Sequence, residues 1–162
     1  MGLATEQIHD LIKEKFGDAV SDDQRDAVDP FIVVKAASIV DVAKFCRDDP
    51  SLVFNLLSVV SGVDYPDQNT IEVVYCLDST TEKHRLIIKV PLPRDNPKIA
   101  TLENVWRTAD WQERETFDLV GVVFEGHHNL ARILCAEDWE GHPLRKDYVI
   151  PESYRGIKNV VY

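Results

Sequence analysis

The densest group of polar and charged side chains in the sequence runs from Ala109 to Asp118. If this segment is helical, Arg114 and Asp118 lie one turn apart and can form an ion pair, while Trp111 lies one turn from Glu115. Carboxylates grouped in this way can act as general acids and bases, but structural ion pairs have the same spacing. Because no nucleophile or metal-ligand spacing accompanies them, we interpret the group as a solvated helix face with ion pairs.

Three of the five histidines lie near the end of the chain, at His127, His128 and His142. Adjacent histidines point to opposite faces of a strand, and no HExxH-type spacing supplies a third metal ligand. Hydrogen bonds from these rings to the loop backbone after Gly126 and Gly141 explain them better. We therefore predict no bound metal, and a metal-dependent hydrolase using His127, His128 and nearby carboxylates is the less favoured alternative.

Other motifs of catalysis and cofactor binding are missing from the sequence. There is no GxGxxG or GxxxxGK[ST] loop for a nucleotide and no GxSxG motif for a serine nucleophile. Cys46, Cys76 and Cys135 are far apart and set among apolar neighbours, and no CxxC occurs. They are interpreted as reduced core cysteines rather than as ligands of zinc or an iron–sulfur cluster. We predict that this chain holds no cofactor and has no catalytic residues.

Composition narrows the classes of function further. The 162 residues are 44% hydrophobic, enough for the core of one domain, and carry a formal net charge of −10. Negative charge repels nucleic-acid phosphates, so the composition argues against nucleic-acid binding. No apolar run approaches the roughly 20 residues that span a bilayer, and residues 1–10 resemble neither a secretory signal nor a transit peptide. We expect the chain to stay in the compartment where it is made and not to cross a membrane by itself.

The sequence predicts three helices and four strands. Apolar residues at helical spacing predict helices over Leu3–Phe16, over 38–49 and over Thr101–Val120, the last ending at Gly121. Short apolar runs rich in β-branched residues predict strands. These strands are Phe31–Val34, Ile71–Leu77, His84–Val90 and Val122–Phe124.

Two stretches are harder to assign from local pattern. Residues 51–64 are apolar without a period that separates strand from helix, and Pro91, Pro93 and Pro97 predict an irregular surface loop. Adjacent strands dominate the middle of the chain. We therefore predict that residues 1–143 form a single α+β domain, a two-layer sandwich with a mixed, largely antiparallel sheet.

Residues 144–162 have no helical or strand period and are basic on an acidic protein. Disordered tails are poor in aromatic and β-branched residues. This tail contains Tyr148, Val149, Ile150, Tyr154, Ile157, Val160, Val161 and Tyr162. Tyrosine, tryptophan and arginine dominate the energetics of protein interfaces. We predict that the segment is an extended C-terminal arm that docks on a partner protein.

Four stretches of the sequence form a longer pattern. They are ERETFDLVG at 113–121, FEGH at 124–127, LARIL at 130–134 and EDWEGHPLRKDY at 137–148. Together they closely resemble the signature of the C subunit of respiratory complex I. The sequence departs from that pattern at Gln112, Val120, His128, Ala131 and Cys135–Ala136. These departures affect loop geometry or a partner contact.

The resemblance implies a cofactor-free structural subunit in the peripheral arm of a proton-translocating NADH:quinone oxidoreductase. FMN, iron–sulfur clusters, NADH and quinone would be used by the complex outside this chain. The partners would be chiefly the D subunit, which contains the quinone site, and the B subunit, which bears a cluster. The chain would lie peripherally on the cytoplasmic side of the cell inner membrane. An equivalent subunit of a membrane-bound hydrogenase or a ferredoxin-linked quinone reductase is the alternative.

Carried onto this sequence, the signature residues are expected to be contacts rather than catalysts. Glu113, Arg114, Glu115 and Asp118 would position a helix against the turn at Gly121. Residues 144–148 would contact the neighbouring subunit. The complete set of expected signature or interface residues is Glu113, Arg114, Glu115, Asp118, Gly121, His127, Arg132, Trp139, His142, Pro143, Leu144, Arg145, Lys146, Asp147 and Tyr148.

Overall fold

A computed structural model describes residues 2–159 of the chain. Val160, Val161 and Tyr162, assigned above to the arm, lie outside these residues. The described elements are α1 (Thr5–Phe16), β1 (Val20–Gln24), β2 (Phe31–Val34), α2 (Ile39–Asp48), β3 (Leu56–Tyr65), β4 (Thr70–Asp78), β5 (Arg85–Pro93), β6 (Lys98–Ala100), α3 (Ala109–Val120), β7 (Val123–Glu125), β8 (Ser153–Tyr154) and β9 (Ile157–Lys158). No helix within residues 2–159 is both long and apolar enough to traverse a lipid bilayer.

The core is built on a five-stranded sheet with the order β1-β2-β5-β4-β3. The β2–β5 pair is parallel and the other three pairs are antiparallel. Along β4 and β5, buried side chains alternate with more exposed ones, because successive residues of a strand point to opposite faces. Apolar side chains of α1 and α2, including Ile8, Ile12, Val42 and Cys46, complete the same core. The predicted α+β fold with a mixed, largely antiparallel sheet is confirmed.

Helix α3 lies beside β3, which forms one edge of this sheet. Gln112 Oε1 accepts a hydrogen bond from the backbone N–H of Val60 at 2.7 Å. Thr108 Oγ1 donates to the carbonyl of Leu57 at 2.9 Å, and Thr116 Oγ1 donates to the carbonyl of Val60 at 3.5 Å. Polar side chains in and next to α3 therefore bind the backbone groups of the edge strand and fix the helix against it.

The prediction of an irregular loop at three prolines is wrong for Pro91 and Pro93. Strand β5 continues through Pro91 and Pro93, while Pro97 precedes β6. β5 pairs with β2 only as far as Lys89, so both prolines lie where β5 has one neighbouring strand in the sheet. Proline lacks a backbone N–H and is tolerated where one side of a strand has no partner.

The helix predicted from Thr101 begins at Ala109 instead. Residues 101–108 form turns whose apolar side chains, including Leu102 and Trp106, are buried in the core. Trp106 Nε1 donates to the carbonyl of Phe54 at 2.9 Å, which ties these turns to the chain before β3. Apolar residues were correctly predicted to be buried here, but tertiary contacts rather than helical spacing bury them.

Candidate functional site

Helix α3 carries near its end a buried carboxylate that holds the following loop. Oδ2 of Asp118 accepts hydrogen bonds from the backbone N–H groups of Ile133, Leu134 and Cys135 at 2.8–3.0 Å. Oδ1 accepts one from Arg132 Nη1 at 2.6 Å. Burial opposes ionisation of Asp118, but these donors stabilise the charged form more strongly and hold the pKa well below its usual range. The carboxylate is therefore a charged structural anchor.

Basic side chains from the end of the signature close over the C-terminus of α3. Arg145 Nε donates to the carbonyl of Val120 at 2.7 Å, and His142 Nδ1 lies 3.0 Å from the carbonyl oxygen of Asp118. Arg132 Nη1 also donates to that carbonyl at 3.1 Å. These groups bind carbonyls that a helix leaves without intrahelical partners, and the positive charge of the two arginines is favourable at this end of the helix dipole.

Gly121 makes this close packing possible. It adopts φ 86° directly after α3, and its N–H donates to the carbonyl of Phe117 at 2.9 Å. A Cβ atom at this position would lie 2.5 Å from Cδ2 of His142 and 2.9 Å from Nη2 of Arg145. The left-handed conformation and the neighbouring side chains both require glycine here.

A second buried carboxylate, Asp64 in β3, binds the start of the predicted arm. Arg94 donates from Nε to Asp64 Oδ1 at 2.6 Å and from Nη2 to Oδ2 at 2.9 Å. Oδ2 also accepts from the backbone N–H of Lys146 at 2.8 Å, and Arg94 Nη2 donates to Asp147 Oδ1 at 2.6 Å. Arg94 is the main cause of the lowered pKa of Asp64 and of Asp147. Residues 146 and 147 are therefore held against the domain.

Glu113 lies on the buried side of α3. Its Oε2 accepts a hydrogen bond from Thr101 Oγ1 at 2.5 Å, and Oε1 accepts one from the backbone N–H of Leu102 at 2.7 Å. Burial raises the pKa of Glu113 above its ordinary value, although both hydrogen bonds favour the charged form. The side chain connects α3 to the turns that precede it.

We expect this burial to make stability depend on pH. A carboxyl group whose pKa is raised on folding binds more protons in the folded state, so its contribution to stability falls as the pH rises above the ordinary value of 4.5. The free energy of unfolding of the unchanged chain should therefore fall relative to that of Glu113→Gln between about pH 4 and pH 7. Urea unfolding of both proteins at each pH measures this difference. A difference that is independent of pH contradicts the interpretation.

Arg114 and Glu115 take separate positions on the same helix. Arg114 binds the loop after β7, donating to the carbonyls of Ala131 at 3.1 Å and Arg132 at 3.3 Å, whereas Glu115 is exposed. The i,i+4 spacing suggested a pair between Arg114 and Asp118. Instead, both side chains bind the segment 131–135, so the signature helix and the signature loop form one unit.

His127 lies at the other end of α3, together with His128, Glu103 and Asp110. The two imidazole rings are stacked, with centroids 5.2 Å apart and an angle of 13° between their planes. The inference that adjacent histidines point apart is wrong because β7 ends before Gly126, whose φ of 84° turns the chain. His127 Nε2 lies 3.1 Å from the carbonyl oxygen of Asp110 in the first turn of α3. The expected bond to loop backbone is made by Nδ1, which accepts a hydrogen bond from the N–H of Asn129 at 3.1 Å.

The remaining predicted residues lie at and beyond the loop that follows. The ring of Trp139 packs on Tyr154 with centroids 5.0 Å apart, and Tyr154 donates to Asp138 Oδ1 at 2.6 Å. Tyr148 packs beside Gly141, where a Cβ atom would lie 2.9 Å from the ring. Pro143 is half-buried, and the Lys146 residue is exposed.

Large apolar side chains are exposed between the signature loop and the tail, over residues 134–157. The backbone N–H of Leu144 donates to the carbonyl of Leu119 at 2.9 Å, yet 58% of the Leu144 residue is accessible to solvent. Other exposed apolar residues from the signature loop to the tail are Leu134, Val149, Ile150 and Ile157. Several large exposed apolar side chains in one part of the chain are typical of a docking surface.

Asp64 and Arg94 were not identified from the sequence. A signal for Asp64 was present, because it lies two and four residues after Gly62 and Val60, on the face of β3 that turns toward the protein. A carboxylate at a buried strand position requires a charged or hydrogen-bonding partner. Nothing in the local sequence identified Arg94 as that partner, since it follows 30 residues later.

Comparison with known proteins gives independent evidence of the family to which the chain is related. Residues 32–154 match the family described as the 30 Kd subunit of respiratory-chain NADH dehydrogenase. The C subunit of the NADH-quinone oxidoreductase of Chlorobium phaeobacteroides is 47% identical over 152 residues, covering 93% of this chain and 92% of that protein. The protein of the same name from Chloroherpeton thalassium is 46% identical over 94% of this chain. The chain spans 64% of the length of that second relative.

Solved structures share the fold. A chain of the membrane-bound sulfane sulfur reductase, an archaeal respiratory membrane complex, superposes with a TM-score of 0.75 at 25% identity, covering 90% of this chain and 85% of its own. The trypsin-resistant fragment of Nqo5 superposes with a TM-score of 0.59 at 24% identity. It covers 77% of this chain and 98% of the fragment.

Proposed function

Since this chain belongs to the family of the 30 Kd subunit of respiratory-chain NADH dehydrogenase, we propose that it acts as the structural, non-catalytic C subunit of an NADH-quinone oxidoreductase. It would support electron transfer from NADH to quinone, and the accompanying proton translocation, by holding other subunits of the peripheral arm in place. The observation that carries the non-catalytic role is the saturation of Asp118, whose two oxygens accept four hydrogen bonds.

The other signature groups support the same role. Glu113 is bound by Thr101 and Leu102, and Arg114 by two loop carbonyls. A general acid or base must reach a substrate proton, whereas these side chains are occupied within the chain. These side chains stabilise the fold of the subunit.

The redox groups of the complex are proposed to reside in other subunits. Iron–sulfur clusters bind cysteine thiolates that converge on one point. Here Cys46 lies on α2, Cys76 on β4 and Cys135 in the loop after β7. Burial raises the pKa of each thiol, which disfavours the thiolate. FMN, iron–sulfur clusters, NADH and quinone would accordingly be bound by neighbouring chains.

The proposed partners are chiefly the quinone-site subunit and the cluster-bearing subunit of the peripheral arm. The exposed apolar side chains of residues 134–157 support a docking surface on this side of the domain. We propose that residues 144–162 form an arm whose first residues, 144–147, are held against the domain and whose residues beyond Tyr148 lie along the quinone-site subunit. Through these contacts the chain would be held peripherally at the cytoplasmic face of the cell inner membrane.

Affinity purification tests the proposal. A tagged copy of the full chain, expressed in its own host and purified from detergent-solubilised membranes, should bring down the quinone-site and cluster-bearing subunits together with the NADH-binding chains of the complex. Recovery of the tagged chain alone, or turnover of a substrate by the purified chain, would contradict the proposal.

The similarity to a chain of a sulfane sulfur reductase favours one alternative within respiratory complexes. The equivalent subunit of a membrane-bound hydrogenase or a ferredoxin-linked quinone reductase would present the same scaffold to different electron-input chains. Recovery of the two proposed partners without any NADH-binding chain would support this alternative.

A further inference from the structure

We propose that Glu103, Asp110, His127 and His128 form a binding site for one divalent transition metal ion, best matched by zinc. The four residues come from three segments, which are the turns before α3, its first turn, and the loop after β7. One ligand atom from each residue lies within 4.8 Å of the other three. The spacing of the sequence did not predict this site, because Glu103 and Asp110 are brought to the histidines only by the fold.

Two of the distances between ligand atoms suit tetrahedral coordination. With metal–ligand bonds of about 2.1 Å, two ligand atoms of a tetrahedral zinc site are about 3.4 Å apart. His127 Nε2 lies 3.4 Å from Asp110 Oδ1 and 3.6 Å from Glu103 Oε2. His128 Nδ1 lies 2.6 Å from Glu103 Oε2, which is a hydrogen-bond distance. Of these three distances, only the one between His128 Nδ1 and Glu103 Oε2 has to lengthen for both atoms to bind a metal.

An unsatisfied oxygen points to a missing partner at the same place. Asp110 Oδ1 is buried and has no hydrogen-bond partner among the described residues. A buried carboxylate oxygen without a donor or a cation is costly. The side chain of His127, whose Nε2 faces this oxygen, is itself fully buried. A bound cation would satisfy Asp110 Oδ1. To coordinate it, the ring of His127 has to give up two hydrogen bonds, the one between Nε2 and the carbonyl of Asp110 and the one that Nδ1 accepts from the N–H of Asn129.

The ligand set favours a transition metal such as zinc. Imidazole nitrogens favour zinc over magnesium or calcium, which prefer oxygen ligands. The two carboxylates supply two negative charges that balance those of the ion. Glu103, Asp110 and His128 also line an open cavity of about 490 Å³ together with Asn104 and Arg107, which gives the ion a route from solvent. Four protein ligands make a closed site, as in structural zinc centres.

Calorimetric titration of the full chain with zinc chloride, after removal of metals by a chelator, tests the site. We expect saturable binding of one zinc per chain and a melting temperature that rises with zinc concentration. His128→Ala, which changes a largely exposed side chain, and Asp110→Asn should each weaken binding at least about tenfold. Circular dichroism checks that both variants are folded.

Matched controls separate this site from other zinc ligands. Glu125→Gln alters an exposed carboxylate two residues from His127 and should leave the affinity unchanged. Cobalt(II) bound in place of zinc should show the visible bands of a tetrahedral site with nitrogen and oxygen ligands. An intense thiolate-to-cobalt charge-transfer band would assign binding to the cysteines and overturn the proposal. Absence of saturable binding, or undiminished binding by both variants, would overturn it as well.

Discussion

Replacing Asp118 with alanine is expected to lower the free energy of unfolding by about 3–5 kcal/mol, because it removes one partner of a buried ion pair. Arg132 would lose its carboxylate, and three backbone N–H groups in the segment 133–135 would lose their acceptor. Urea denaturation monitored by tryptophan fluorescence measures the loss. Glu115→Ala, an exposed change on the same helix, is the control and should alter stability by less than about 0.5 kcal/mol.

The same carboxylate gives a pH signature that a general packing defect does not. A group whose pKa is lowered on folding stabilises the folded state above its unfolded value of 3.8, and this contribution is lost as the pH falls below that value. The difference in unfolding free energy between the unchanged chain and Asp118→Asn should therefore shrink as the solution is acidified. Equal stability of the two proteins at neutral pH would show that Asp118 is not the anchor of the signature loop.

The largest functional effect is expected from removal of the tail that follows Tyr148. A chain that ends after Tyr148 keeps the contacts of residues 144–147 with Leu119, Val120, Asp64 and Arg94. It loses the contacts of Tyr154 with Trp139 and Asp138, which lie outside the core, and should still fold with a melting temperature near that of the full chain. Because it lacks the predicted partner-binding arm, co-purification with the quinone-site and cluster-bearing subunits should be abolished. Quantitative immunoblotting of membranes from cells that express only the truncated chain measures the loss of incorporation.

Point variants test whether the effect of the truncation comes from the exposed apolar side chains of the tail. Val149→Ser with Ile150→Ser removes two exposed apolar side chains and should reduce incorporation while leaving the fold intact. Val28→Ser removes a fully exposed valine in the turn between β1 and β2 and should have no effect. Normal assembly of the truncated chain would contradict the arm. Equal effects of the two sets of serine variants would show that exposed apolar area in general, rather than the tail, is responsible.

The sequence predicted those parts of the fold that depend on local pattern. Short runs rich in β-branched residues identified the central strands over Ile71–Leu77 and His84–Val90, and apolar residues at helical spacing identified α1. The beginning of α3 was missed because Trp106 is buried by a contact with Phe54, 52 residues earlier. Helical spacing alone does not separate that case from a helix.

The site was predicted only in part, because many of its contacts join residues that lie far apart in the sequence. The signature pattern identified Glu113, Asp118 and Arg132, but not the way in which Asp118 holds the loop. Asp64 binds Arg94 and Lys146 across 30 and 82 residues of sequence. Contacts of this range are set by the order of strands in the sheet and by where α3 lies. A local period carries no information about them.

The way in which α3 covers β3 has a consequence for how the protein can meet other chains. An open outer strand offers its amide and carbonyl groups to any passing extended peptide, which is a common route to fibrils and to unwanted self-association. Gln112, Thr108 and Thr116 already bind such groups of β3. At Leu57 and Val60 a neighbouring chain would therefore meet side chains of α3 rather than open backbone groups, and a chain in which α3 has detached would be prone to aggregate.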